Sequence, residues 1–313
     1  MYRYILQRVL AALPVMAIVG VIVFSLLFAA PGDPAAIIAG DQATVADIAK
    51  VRIALGLDQP YLVQFGHWAW RILQGDLGTS IFTSLPVRDL ILQRMGPTLS
   101  LMAVTLVLAV LVAVPMGVLA AWKHGTWIDS AVMVLAVLGF SVPVFVVGYL
   151  SSYVFSLQLG LLPAQGYKPM AEGLWPWLRG LLLPALSLGF VYVALIARVT
   201  RAAMLEVLSQ DYIRTAKAKG LSQRKILFLH ALKNASVPVV TSIGIGLAML
   251  IGGAVATESV FAIPGVGRLT VDAILQRDYP VIQAVVLLFS LVYVLVNLLI
   301  DLLYTLLDPR IRY

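Results

Sequence analysis

The side chains most able to do chemistry gather between Arg198 and Lys233, the longest polar stretch in the second half of the chain. Arg198, Arg201, Arg214, Lys217, Lys219, Arg224, Lys225 and Lys233 stand there against only Glu206 and Asp211. At its centre lies Asp211-Tyr212-Ile213-Arg214-Thr215-Ala216-Lys217-Ala218-Lys219-Gly220-Leu221. The chemistry available to such a set is recognition through charge and hydrogen bonds. Bond-making chemistry has no comparable set. The three histidines, His67, His124 and His230, are far apart and have no ligand spacing, and there is no cysteine, which excludes disulfides and thiolate metal sites. No Gly-x-x-x-x-Gly-Lys-Ser/Thr loop is present to cradle a nucleotide, and neither His-Glu-x-x-His nor Gly-x-Ser-x-Gly occurs. The expectation is a chain that is not an enzyme and holds no cofactor or metal of its own.

The elements that must position this basic stretch are membrane helices. Of 313 residues, 61% are hydrophobic and 12% charged, about half the charged share of a soluble domain. About 20 apolar residues cross a bilayer. The apolar runs predict an all-α integral membrane protein with six spans: Val9–Ala30, then about 98–122, 131–156, 180–197, 235–257 and 281–300. A cleavable signal peptide is the competing reading of the first run, but the run exceeds the usual signal core. Lys and Arg stay on the cytosolic side. With both termini cytosolic, the inside segments carry 13 of the 22 Lys and Arg residues, eight of them between Arg198 and Lys233. The net charge of +7 therefore marks membrane topology, and no nucleic-acid partner is expected.

The expected organisation is a first segment and span over 1–30, a folded outer cap over 31–94, a core over 95–305 with the polar loop at 198–233, and a cytosolic tail over 306–313. Within the cap, 43–57 reads as helix, Tyr61–Leu73 as an amphipathic helix near the membrane surface, and Gly75-Asp76-Leu77-Gly78 as a turn. In the basic loop, Ala and Lys are good helix formers and Gly220 falls where a helix stops, predicting one or two short helices.

No Asp, Glu, Lys or Arg lies inside the six spans as drawn, so an ion-coupled carrier lacks the intramembrane charges it usually needs. Two spans carry a small residue at every fourth position: Ala109, Ala113, Gly117 and Ala121 in the second, and Gly244, Ala248, Gly252 and Ala256 in the fifth. Each set shares one helix face, for close packing or for lining a path. Gly252-Gly253 is a possible hinge. Pro14, Pro115, Pro143, Pro184 and Pro238 are expected to kink their spans.

The stretch around Asp211–Leu221 resembles the cytosolic coupling motif of ABC importer permeases, whose broad pattern is Glu-Ala-Ala-x-x-x-Gly followed by Ile-x-Leu-Pro. Ala216, Gly220 and Leu232 fit that pattern. Arg214, Thr215, His230 and Lys233 depart from it in the manner of the peptide/nickel branch. The resemblance covers nearly the whole chain. It includes Ala29-Ala30-Pro31-Gly32-Asp33-Pro34, Leu55-Gly56-Leu57-Asp58-Gln59-Pro60, Glu258 to Leu269, Arg277 to Gln283, Asn297 to Tyr304 and Leu307 to Tyr313.

The resemblance implies a type-I ABC importer permease fold with a periplasmic cap, in a bacterial inner membrane. It implies a homologous second permease, two ATP-binding subunits that carry ATP and Mg, and a periplasmic or lipid-anchored solute-binding protein. It assigns Asp211, Tyr212, Arg214, Thr215, Ala216, Lys217, Ala218, Lys219, Gly220 and Leu221 to the helix that docks on an ATPase. Gly244, Ala248, Gly252 and Ala256 become a pathway or packing face. Glu258, Pro264, Gly265 and Gly267 become a tight outer turn, a gate or a contact for the binding protein. The implied cargo is di- or oligopeptide, with nickel chelate or glutathione as alternatives. A stand-alone carrier or pore and a basic membrane scaffold are the readings from other classes.

Overall fold

The computed structural model describes residues 2–29, 33–39, 43–54 and 56–307. The expected tail beyond Leu307, and Ala30-Pro31-Gly32 and Leu55 of the motifs above, lie outside the described residues. The helices in chain order are α1 (Tyr2–Ala29), α2 (Pro34–Ala39), α3 (Val45–Ala54), α4 (Tyr61–Leu73), α5 (Val87–Trp122), α6 (Trp127–Ser141) and α7 (Val144–Ser151). After them come α8 (Leu174–Leu208), α9 (Asp211–Ala218), α10 (Gln223–Lys225), α11 (Leu232–Asn234), α12 (Ser236–Val260), α13 (Val266–Gln276) and α14 (Tyr279–Leu307). Wide π turns continue α7 over Ser152–Gln158 and join α10 to α11 over Ile226–Ala231. Among the described residues five helices are long and apolar enough to cross a membrane, or six spans if the bent pair α6–α7 counts as one.

The run expected as the third span, 131–156 with a kink at Pro143, falls within that pair. Trp127–Ser141 and Val144–Gln158 meet at 106°. The cause is Pro143, which has no N–H to donate and whose ring pushes the preceding residue out of helical geometry. Val142 is accordingly extended, at φ −94 and ψ 122. The run expected as the fourth and shortest span, 180–197, lies inside the 35-residue α8. Arg179, Arg198, Arg201 and Glu206 interrupt the charge-free run but not the helix, since long charged side chains near helix ends reach polar surroundings. The first part of the expected 198–233 loop is thus helical, as the continuation of α8 to Leu208. The helices as formed do carry charge, including Asp129 and Glu258, both buried.

The chain divides into two compact units. The smaller joins Met1–Gln93 to Thr270–Leu295. In it α4 packs on α1 through Phe24, Phe28, Tyr61, Phe65 and Trp68, with ring centroids 5.3–6.0 Å apart. A capping box starts α3: the Asp47 N–H donates to the Thr44 hydroxyl, and the Thr44 hydroxyl and Lys50 hold the Asp47 carboxyl below its usual range. The loop before α5 is fixed by Asp278, just ahead of α14. The Ser80 hydroxyl donates to Asp278 at 2.5 Å and the Ile81 N–H at 3.3 Å.

The larger unit joins Arg94–Leu269 to Val296–Tyr313. Its central helix is α8, which packs on α6, α7 and α12. It is apolar along most of its length and buries Leu181, Leu183, Leu188, Ile196 and Met204 almost completely.

Candidate functional site

The α9 helix is two-faced. Ile213 is fully buried and Ala216 nearly so, in one core with Val118 and Ala121 of α5, Ala203 and Met204 of α8, and Ile226, Leu227 and Ala231 of the following turn. Asp211, Tyr212, Arg214, Thr215, Lys217, Ala218, Lys219 and Gly220 are exposed. Asp211 sits in the first turn and Lys217 in the last, each at the end where the helix dipole favours its charge. The helix ends in a Schellman motif. The Gly220 N–H donates to the Lys217 carbonyl at 3.0 Å and the Leu221 N–H to that of Ala216 at 3.3 Å. This closure needs Gly220 at φ +74, a conformation that costs other residues roughly 1–2 kcal/mol. Nothing lies within 4 Å of a Cβ placed there, so the requirement is conformational and not steric. Leu221 then folds back onto the same core. The ten residues expected to form the docking helix are thus brought together, eight outward-facing and Ala216 and Leu221 anchoring. Ile213, the deepest anchor, was not among them. Its place three residues before Ala216, about one helical turn away, is the signal that marks the inner face.

Close along α8 from Ala203 is a charged junction that sequence reasoning missed. Asp129, 4% exposed, receives Arg201 through both its oxygens, Nη2 at 2.7 Å and Nε on the other. It also accepts the Gly125 N–H at 3.1 Å and His124 Nδ1 at 2.9 Å. The α5–α6 turn, the start of α6 and α8 are locked by one carboxylate. The available sign was an acidic residue three places into an apolar run, opposite in charge to the loop's arginines.

At the end of α12 a second carboxylate is buried. Glu258 has no exposed surface. Its Oε1 accepts the Thr98 hydroxyl at 2.6 Å and its Oε2 the Arg268 N–H at 2.9 Å. Thr98 in turn accepts the Val266 N–H at 2.8 Å. Glu258 and Thr98 together satisfy the free N–H groups at the start of α13. Pro264 precedes this turn. A Cβ on Gly265 would overlap the Glu258 carboxylate, and one on Gly267 would lie 2.6 Å from Val255 Cα. Both glycines are there to let backbone approach. Glu258 is the internal support of this turn, so any outer contact made here falls to the loop it holds. In the sequence Thr98 stands only at the start of the expected second span.

The two small-residue faces part company. Ala109, Ala113, Gly117 and Ala121 are all buried, and a Cβ on Gly117 would lie 2.6 Å from Thr200 Cβ of α8. In α12, Gly244 is closed by Ile300, but Ala248 is half-buried and Gly252 and Ala256 are exposed. Gly253 packs on Leu188. The helix runs unbroken through Gly252-Gly253. Among the described residues no three His, Cys, Asp or Glu side chains group as a metal site.

Two family models divide this chain. Residues 1–103 match the N-terminal part of binding-protein-dependent transport system membrane components, and residues 113–313 match the binding-protein-dependent transport system inner membrane component. A probable peptide ABC transporter permease of Sinorhizobium fredii is 54% identical over 99% of both chains. A putative peptide transport system permease of Brucella abortus is 46% identical over 100% of both. The glutathione transport system permease GsiC of Salmonella choleraesuis is 45% identical, again over 100% of both. An inward-facing structure of the MetNI methionine ABC transporter shares the fold, with a TM-score of 0.59 over 71% of this chain and 97% of that one at 19% identity. Family membership implies ATPase and binding-protein partners, with hydrolysis on the former. The chain belongs to the binding-protein-dependent transport system inner membrane components and is a multi-pass, non-catalytic permease subunit of a bacterial ABC importer.

Proposed function

We propose that this chain forms half of the pathway of an ATP-driven importer for short peptides, paired with a homologous second permease and driven by two ATPase subunits. Both termini are cytosolic, and residues 31–94 form a periplasmic cap ahead of the core at 95–305. The observation that carries the reading is the two-faced α9. Its exposed Asp211, Tyr212, Arg214 and Lys217 form a compact polar surface, while Ile213 and Ala216 join it to α5 and α8. A push on that surface by an ATPase moves a packed block and not a slack loop. The periplasmic turn held by Glu258 faces the binding protein, and the open α12 face around Gly252 and Ala256 meets the second permease or the solute. Peptide cargo rests on the Sinorhizobium and Brucella relatives. Glutathione, itself a short peptide, is the second reading, favoured by the Salmonella relative.

The test is Gly220→Val in the reconstituted transporter. Expected are weakened ATPase docking and loss of peptide uptake and of uptake-coupled ATP hydrolysis. Intact docking, uptake and coupling would remove α9 from the drive train. Uptake by this chain alone in liposomes without ATP would favour a stand-alone carrier. Competition between dipeptides and glutathione for uptake separates the two cargoes.

A further inference from the structure

The α4 helix has three faces, and only two are accounted for within the smaller unit. One packs on α1. The Tyr61 and Ser25 hydroxyls lie 2.7 Å apart, Phe65 stacks edge-on against Phe24, and Trp68 reaches Gly20. The second face carries Gln64, His67 and Arg71, which line a cavity of about 350 Å³ with Asp76 and Gln283 on its wall. The third is apolar and uncovered. Leu62 is 78% exposed, Trp70 62% and Leu73 79%.

The register against α1 fixes what lies beside that third face. Going from Tyr61 to Trp68, the contacts on α1 run back from Phe28 to Gly20. At 1.5 Å per residue, Gly20 is about 13 Å short of the helix end at Ala29, close to the ~15 Å half-thickness of a hydrocarbon core. The segment Leu6–Phe28 is itself a candidate span, and Val21, Ile22 and Leu26 on its outer half are exposed. A helix lying along that half of a span is at acyl-chain depth. A polar face at the same depth needs water, and the cavity beside Gln64, His67 and Arg71 has room for several molecules.

We infer that α4 is a membrane-embedded helix of the leaflet at the C-terminal end of α1, its Leu62–Trp70–Leu73 edge against lipid acyl chains and its Gln64–His67–Arg71 edge in a wetted niche. In the orientation proposed above this is the outer leaflet. The occupant of the apolar edge is lipid because α4 lies along the outer half of a candidate span whose own uncovered side chains, Val21, Ile22 and Leu26, are exposed and apolar. The cap is then partly sunk in the membrane, with its polar interior open to the periplasm.

The chain has no cysteine, so single cysteines report without background. Leu62→Cys, Leu73→Cys, His67→Cys and Arg71→Cys are made in the assembled transporter, with Val45→Cys, 86% exposed, as the aqueous control. Each is labelled with bimane in phosphatidylethanolamine/phosphatidylglycerol vesicles, with and without lipids carrying a nitroxide on the acyl chain. Leu62 and Leu73 make little packing within this chain, so their replacement leaves the fold intact. Bimane at 62 and 73 is expected to lose most of its fluorescence to the lipid nitroxide, while cysteines at 67, 71 and 45 react with a membrane-impermeant maleimide. Reaction of 62 and 73 with that maleimide at the rate of 45 would overturn the inference. So would protection from both reagents, which would place a protein partner on this face. These outcomes do not depend on ATPase coupling. Reaction of 67 and 71 from the cytosolic side only would instead overturn the orientation while leaving the lipid contact standing.

Discussion

Asp129 and Glu258 are both carboxylates buried at the ends of apolar helices in the larger unit, and they are held by different means. Asp129 meets a guanidinium through both oxygens, with His124 and the Gly125 N–H filling its remaining capacity. Glu258 meets a hydroxyl and backbone N–H groups. A buried ion pair draws its strength from the partner charge, so losing one member leaves the other stranded. A carboxylate among neutral donors draws its strength from acceptor count, and losing it leaves several donors unmet. The first arrangement ties three helical segments into a block behind α9. The second shapes a turn, and it demands small residues around it because the carboxylate fills the space where side chains would be.

Five substitutions test that difference. Asp129→Asn has the largest expected effect, about 3–5 kcal/mol for breaking a buried pair, toward the lower figure because Arg201 retains 20% exposure. It is read as a drop in thermal stability of the detergent-solubilised protein. Adding Arg201→Met should recover most of the loss, and no recovery would mean the charge pair is not what holds Asp129. Glu258→Ala should cost about 1–3 kcal/mol through unmet donors, and replacing nearby cations should restore nothing. Recovery by such a replacement would erase the contrast between the two sites. Gly267→Ala should cost about 1–3 kcal/mol or abolish expression, because the new methyl meets backbone of α12 that cannot yield. Wild-type melting there would mean the turn is looser than its contacts. His124→Ala, at an exposed partner of the junction, should cost less than about 1 kcal/mol.

Much of the architecture was legible from residue order. The limits of α4 follow from its aromatic amphipathic run, and the end of α9 from Gly220. Pro143 marked a kink but could not announce a turn of 106°, since that depends on what the chain packs against after it leaves the helix. Charge-free runs undercounted α8 because Arg201 is paired and Arg198 lies over Phe140, so neither stops a helix. The two small-residue faces looked alike because close approach requires the same residues whatever does the approaching. Only α8, lying 2.6 Å from the space over Gly117 and leaving Gly252 open, tells them apart. Glu258 reads as part of an outer turn, a gate or a binding-protein contact, and its burial is hidden for a similar reason. Its partners Thr98 and Arg268 come from places that no local pattern connects.

The Glu258 turn also sets an order for biogenesis. Thr98 is made 160 residues before Glu258, while Arg268 follows it by ten. As α12 enters the bilayer, its terminal carboxylate has a donor only if α5 is already alongside, and it gains the rest once α13 has begun to form. A chain halted between these points would leave a poorly satisfied acid at the membrane, an expensive and recognisable defect. One side chain thus ties the packing of α5 to that of α12 and the start of α13, segments made far apart in time.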